Sequence, residues 1–70
     1  MMTRKDYVET ANVLQSAVSI AKWELEENSK ELFFALEQVQ FIAENFAKMF
    51  ASDNPRFDEE RFFEAVWKEN

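Results

Sequence analysis

The sequence predicts an all-α protein: a helical hairpin, or one long broken helix, followed by a short C-terminal helix. Two observations predict this fold class. The 70 residues contain no glycine and a single proline, Pro55, so little interrupts a helix before that point. Apolar residues also recur in alternating steps of three and four from Tyr7 to Met49, the heptad spacing of helices that pack side by side. We therefore expect one α-helical domain over residues 1–70, with helices near 3–28, 29–51 and 58–68.

The first helix is predicted to begin after Thr3. Threonine is a good N-cap, and Asp6 follows three residues later, as in a capping box. Met2 and Tyr7 occupy the two positions of a hydrophobic staple around this cap. The predicted apolar seam then continues along the chain with one polar member, through Tyr7, Ala11, Leu14, Val18, Ala21, Leu25, Asn28, Leu32, Ala35, Val39, Ile42, Phe46 and Met49.

Asn28 leaves two arrangements open. In one, a single helix runs from Thr3 to about Phe50 and Asn28 is a polar residue in its seam. In the other, the chain breaks at Asn28-Ser29 into an antiparallel hairpin, since both residues are good helix caps. A 48-residue helix is unusual in so small a chain, and a tight hairpin without glycine is unusual too. The broken hairpin is the favoured arrangement.

The second helical segment carries apolar residues on two sides. Leu36, Ala43 and Phe50 flank the seam, while Phe34 and Phe41, one heptad apart, lie on a different face. A helix that is apolar on two sides is expected to be buried on two sides.

The last helix is predicted from Glu59 to about Lys68. Pro55 forces Asn54 out of the α region, which places a loop over residues 52–56. Asp58 is then the expected N-cap, and Phe57 and Phe62 form a hydrophobic staple around it.

Composition argues against enzymatic chemistry. The chain has no histidine and no cysteine, which excludes imidazole and thiolate metal sites and cysteine or Ser–His nucleophiles. Without glycine there is no phosphate-binding glycine-rich loop either. We therefore expect no catalytic residues, no metal and no cofactor.

The charge balance limits the partners. Eight basic residues against 14 acidic ones give a net charge of −6, which repels nucleic-acid backbones, so direct nucleic-acid binding is not expected. No apolar run is long enough to span a membrane, and the N-terminus does not resemble a signal peptide. The cytoplasm is the expected compartment.

The aromatic content predicts self-association. Eight Phe, two Trp and one Tyr exceed the apolar surface that three short helices of one chain can hide. Exposed apolar patches are usually interfaces, so a homodimer or larger homo-oligomer is expected. Trp23, opposite the seam, is either a contact for the last helix or an exposed anchor for a partner. The candidate interface residues are Trp23, Phe34, Phe41, Phe50, Phe63 and Trp67.

Two short motifs near the ends of the chain carry a family resemblance. Residues 4–7, RKDY, and residues 53–58, DNPRFD, followed by RF at 61–62, resemble motifs of a group of small uncharacterised bacteriophage proteins. Many members of that group end in an apolar stretch with a cysteine, whereas this chain has Ala65-Val66-Trp67. The resemblance implies a phage accessory protein acting in the cytoplasm of the infected cell. It transfers no functional residues.

The sequence thus predicts a non-enzymatic, homo-oligomeric protein–protein interaction module, with a host protein as a further partner. Arg56 and Arg61 are the predicted partner patch, because neither is needed for the turn, the cap or the staple around them. Arg4 and Lys5 join this patch if the two ends of the chain meet. The alternative function is an acidic inhibitor that mimics nucleic acid and blocks a host DNA-processing enzyme.

Overall fold

A computed structural model describes residues 3–69 of the chain, and within that range the protein is all-helical, as predicted. Helix α1 comprises Arg4–Glu24, α2 comprises Lys30–Asp53 and α3 comprises Glu59–Val66. Tyr7 near the start of α1 contacts Phe50 near the end of α2, so the first two helices form an antiparallel hairpin. The short α3 packs against both of them and closes that end of the hairpin.

The start of α1 has the predicted cap. The Thr3 N–H donates to Oδ2 of Asp6 at 2.8 Å, and the Asp6 N–H donates to the Thr3 carbonyl at 3.0 Å. A carboxylate in the first turn also suits the positive end of the helix dipole. Met2, the other half of the predicted staple, lies outside the described residues.

The chain is broken between α1 and α2, so the hairpin is correct and the single long helix is not. The break is longer than predicted: α1 ends at Glu24 rather than near Asn28, and residues 25–29 form the loop. Asn28 has φ 62°, the left-handed conformation that asparagine tolerates better than most residues other than glycine. Ser29 then caps α2, its hydroxyl accepting from the Leu32 N–H at 3.1 Å.

On α1 the predicted seam is the buried stripe, which consists of Tyr7, Ala11, Leu14 and Val18. On α2 the predicted seam is only partly right. The buried residues there are Val39, Ala43, Ala47 and Phe50, of which Val39 alone belongs to the predicted seam, whereas Ile42 and Met49 are exposed. The loop between the helices resets the heptad count, so the phase of α1 does not carry over to α2. The small side chains of Ala43 and Ala47 also allow the neighbouring helices to approach closely.

Phe50 is wrong as an interface candidate, because its side chain is fully buried inside the single chain. Its ring centroid lies 4.8 Å from that of Tyr7, 5.4 Å from Phe57 and 5.6 Å from Phe62. These rings come from α1, the loop before α3 and α3 itself. Phe50 is therefore the centre of the aromatic core at the end of the hairpin that α3 covers, opposite the loop of residues 25–29.

The turn into α3 comprises residues 54–58, two residues later than predicted because α2 runs to Asp53, while its cap and staple are as predicted. The Phe57 N–H donates to the Asn54 carbonyl at 3.0 Å, and Oδ1 of Asn54 accepts from the Arg56 N–H at 2.9 Å. Oδ1 of Asp58 accepts from the Arg61 N–H at 3.1 Å, which caps the helix. The rings of Phe57 and Phe62 are 5.6 Å apart, as a hydrophobic staple requires.

We expect Asp58→Ala to lower the free energy of unfolding by about 0.5–2 kcal/mol, because the Arg61 N–H loses its acceptor at the start of α3. Thermal denaturation followed by circular dichroism measures the loss. Glu59→Ala is the matched control, since that neighbouring carboxylate is not the cap. Equal stability of Asp58→Ala and wild type would show that the cap contributes nothing.

Candidate functional site

The exposed side of α2 carries a row of large apolar and neutral polar side chains, here called the outer α2 face. Its centre, Phe41 and Asn45, lies opposite the buried stripe, since residues two apart on an α-helix are separated by roughly 200°. Phe34 and Phe41 are each 64% exposed, although they are large aromatic side chains. The face consists of Phe34, Gln38, Phe41, Ile42, Asn45 and Met49, and the exposed charged residues Glu37, Glu44 and Lys48 border it along one side.

The centre of the outer α2 face is polar but neutral. Nδ2 of Asn45 donates to the Phe41 carbonyl one turn earlier at 2.9 Å, which holds the amide against its own helix. Gln38 lies seven residues before Asn45 on the same line of the helix. Apolar side chains lie on both sides of these amides, so the face combines hydrophobic contact area with hydrogen-bonding groups.

Ile42 and Met49 enter this face because these two positions of the predicted seam are not buried. The aromatic residue Phe33 is also exposed, beside the face, and the sequence analysis did not single it out. The signal was present in the sequence: α2 has more apolar positions than one buried stripe can hold. Which of them remain outside depends on how α1 and α3 pack.

Of three further predicted interface residues, Trp23 is exposed, whereas Phe63 and Trp67 pack partly against the core. Trp23 is 89% exposed at the end of α1, so it is not a packing contact for α3. Phe63 and Trp67 are half-buried against the core. Nε1–H of Trp67 donates to Oε1 of Gln40 at 2.8 Å, which fastens the end of α3 to α2. Phe63 and Trp67 thus serve the internal packing of the chain.

The second candidate site is an open groove between α1 and α3, here called the arginine groove, with a volume of about 810 Å³. The start of α1 meets the turn before α3 there, whereas Lys68 lies beside Gln15, further along α1. Its cationic side chains come from three segments of the chain and are Arg4, Arg56, Arg61 and Lys68. Its other lining residues include Tyr7, Val8, Ala11, Phe57, Phe62 and Ala65, together with the acidic Asp58 and Glu64.

The predicted partner patch is brought together in part. Arg56 and Arg61 line the groove with Arg4, but Lys5 lies outside it and pairs with Glu9 at 3.9 Å. The groove gains Lys68 instead, which the sequence analysis missed. Lys68 follows the end of α3, and no pattern in the sequence indicates that it returns to α1.

The arginines differ in their ion pairing. Nε of Arg61 lies 3.7 Å from Oδ2 of Asp58, an exposed pair one turn apart on α3. Within residues 3–69, neither Arg4 nor Arg56 has an ion-pair partner. Both arginines line the groove without an ion pair to a carboxylate of that range.

Tyr7, which also lines the groove, holds an unusual polar group. Its side chain is only 9% exposed, with its ring 4.8 Å from both Phe50 and Phe57. The buried hydroxyl has no hydrogen-bond partner among the described residues. Buried polar groups are nearly always hydrogen-bonded, so this hydroxyl requires an explanation.

Other kinds of site receive no support from the described part of the chain. None of the helices in residues 3–69 is long and apolar enough to cross a membrane. The same residues contain no cluster of three or more side chains suited to hold a metal ion. Comparisons with protein-family models, with curated proteins and with solved structures give no match.

Proposed function

We propose that this chain is a non-enzymatic protein–protein interaction module that works as a homodimer paired through the outer α2 face. The observation that carries the proposal is the composition of that face: exposed aromatic and aliphatic side chains with neutral amides between them and charged residues at one edge. Depletion of charge together with enrichment in Phe and Met is the composition of interface centres. The resemblance of the end motifs to small bacteriophage proteins adds the cytoplasm of an infected cell as the proposed setting.

A second copy is the partner that the charge distribution favours. Each chain carries a net charge of −6, so two copies repel one another over most of their surfaces. Contact through the outer α2 face leaves Glu37, Glu44 and Lys48 at its edge rather than at its centre. Two copies can therefore bury their exposed aromatic side chains there with these charges at a solvated rim.

The face is also self-complementary in an antiparallel two-fold pair. A two-fold axis between Phe41 and Ile42 brings each of these residues beside its own counterpart. Gln38 then faces the partner's Asn45, so that amide meets amide. On one flank Phe34 meets the partner's Lys48, an arrangement suited to a cation–π contact.

The size of the face sets the expected strength. Full burial of its six side chains in both copies removes on the order of 1,200 Å² of surface, the low end of specific interfaces. A dimer of micromolar rather than nanomolar affinity is therefore expected. Sedimentation measurements should accordingly show a mass that rises with concentration.

Disulfide trapping tests this pairing directly, because the chain has no cysteine of its own. In Ile42→Cys the new thiols lie on either side of the proposed axis, so mild oxidation should rapidly give a covalent species of twice 8.3 kDa. Val13→Cys, exposed on the far side of α1, is the control for random collisions. Equal cross-linking rates for the two variants would count against the proposed interface.

A further inference from the structure

We infer that the arginine groove binds an acidic peptide segment of another protein, one that carries an apolar side chain between its carboxylates. The groove lies on the α1–α3 side of the molecule, away from the outer α2 face. This inference is therefore independent of the proposed homodimer. It rests on the charge of the groove, its free donors, its apolar floor and the buried Tyr7 hydroxyl.

The groove concentrates positive charge in an acidic protein. All three arginines of the chain line it, and with Lys68 they make four of the eight basic residues. Only two of the 14 acidic residues, Asp58 and Glu64, line the same groove. A local positive field within a negative surface attracts an anionic ligand to this place and repels it elsewhere.

The guanidinium groups supply the donors for such a ligand. Arg4 and Arg56 have no ion-pair partner within residues 3–69, and Arg61 holds only the exposed Asp58. A guanidinium presents paired N–H donors that match the two oxygens of a carboxylate. Arginines from α1, the turn and α3 can thus bind carboxylates at several points along one segment.

The floor and shape of the groove favour a peptide over a small anion. Val8 is half-exposed, and Phe57 and Ala65 are partly exposed beside it, so the floor offers apolar contact area. Sites for small molecules usually enclose most of the ligand, whereas this groove is only partly enclosed. A segment that alternates acidic and apolar side chains matches both the rim and the floor.

The Tyr7 hydroxyl adds an independent observation. It is a buried donor without a partner among the described residues, in a side chain that lines the groove. Because the oxygen is shielded from solvent, a ligand reaches it only if a side chain that covers it shifts. A carboxylate or carbonyl oxygen of the bound peptide would then supply the missing acceptor.

Fluorescence anisotropy with a labelled peptide of glutamates flanking leucines tests the inference on the full chain. We expect the wild-type chain to bind this probe. The double variant Arg56→Gln/Arg61→Gln should bind it at least tenfold more weakly. Lys22→Gln with Lys30→Gln is the matched control, since it removes the same charge outside the groove. It should change the affinity less than twofold. Equal weakening by both double variants would overturn the site, because the attraction would then be general.

Competing ligands separate the chemical classes. The matched peptide with glutamine in place of glutamate should not bind. A single-stranded oligonucleotide that binds more tightly than the peptide, or inorganic phosphate that displaces the peptide at millimolar concentration, would overturn the assignment to a peptide. Tyr7→Phe removes the unpartnered donor, so it should weaken the probe several-fold without lowering the melting temperature. Unchanged affinity in that variant would overturn the role given to the hydroxyl.

Discussion

Replacing Phe50 by alanine is expected to lower the free energy of unfolding by about 3–5 kcal/mol. The side chain is fully buried, and its ring contacts those of Tyr7, Phe46, Phe57 and Phe62. The variant leaves a cavity at the point where all three helices meet. A domain of this size has a total stability of roughly 4–10 kcal/mol, so the loss removes much or all of it.

Urea denaturation followed by circular dichroism measures this loss. Phe33→Ala makes the same chemical change on the same helix at a side chain that is 68% exposed, and it should alter stability by no more than about 0.5 kcal/mol. Phe50→Leu keeps more of the volume and gives a measurable value if the alanine variant does not fold. Similar losses for Phe33→Ala and Phe50→Ala would contradict the aromatic core described here.

Local signals predicted the helix boundaries that depend on a few neighbouring residues. The carboxylates of Asp6 and Asp58 each accept a hydrogen bond from a backbone N–H three residues away at the start of a helix. Such bonds depend only on the local chain. Ser29 caps α2 in the same way. Pro55 restricts the residue before it, so the loop before α3 was visible as well. The sequence overestimated α1 because nothing between Glu24 and Asn28 breaks a helix by itself.

The buried side of α2 could not be predicted from the sequence. Two stripes compete on this helix, one through Ile42 and Met49 and one through Ala43 and Phe50, and both are apolar. Only packing against α1 and α3 selects the second, where alanines permit close approach and Phe50 meets the rings of α3. The same choice leaves Ile42 and Met49 on the surface and thereby completes the outer α2 face.

The arginine groove was predictable only in part. Arg56 and Arg61 were predicted as a partner patch because the turn and the helix cap do not need their side chains. Their meeting with Arg4 depends on α3 folding back along the start of α1, a contact between residues about fifty positions apart. Lys5 stays outside because it follows Arg4 by one residue and projects elsewhere on the helix.

Replacing Phe34 and Phe41 together by glutamate is expected to convert the homodimer to a monomer. Both side chains are largely exposed within one chain, so the change should leave helicity and core intact. In the proposed dimer, Phe41 lies beside its own counterpart across the axis, and two glutamates there repel each other. Loss of two central aromatic anchors at about 2 kcal/mol or more each predicts a dissociation constant raised at least about 100-fold.

Sedimentation equilibrium over a range of micromolar concentrations measures the effect. Val13→Glu with Ile20→Glu is the matched control, because these residues have the same heptad spacing on the exposed side of α1. It adds the same charge and should leave the dimer intact, as should Glu27→Ala. A wild-type mass of 8.3 kDa throughout that range would contradict the homodimer. If the double variant Phe34→Glu/Phe41→Glu still dimerises, the interface lies on another surface. Trp23 at the end of α1 is then the next residue to test, because it is the most exposed large apolar side chain described.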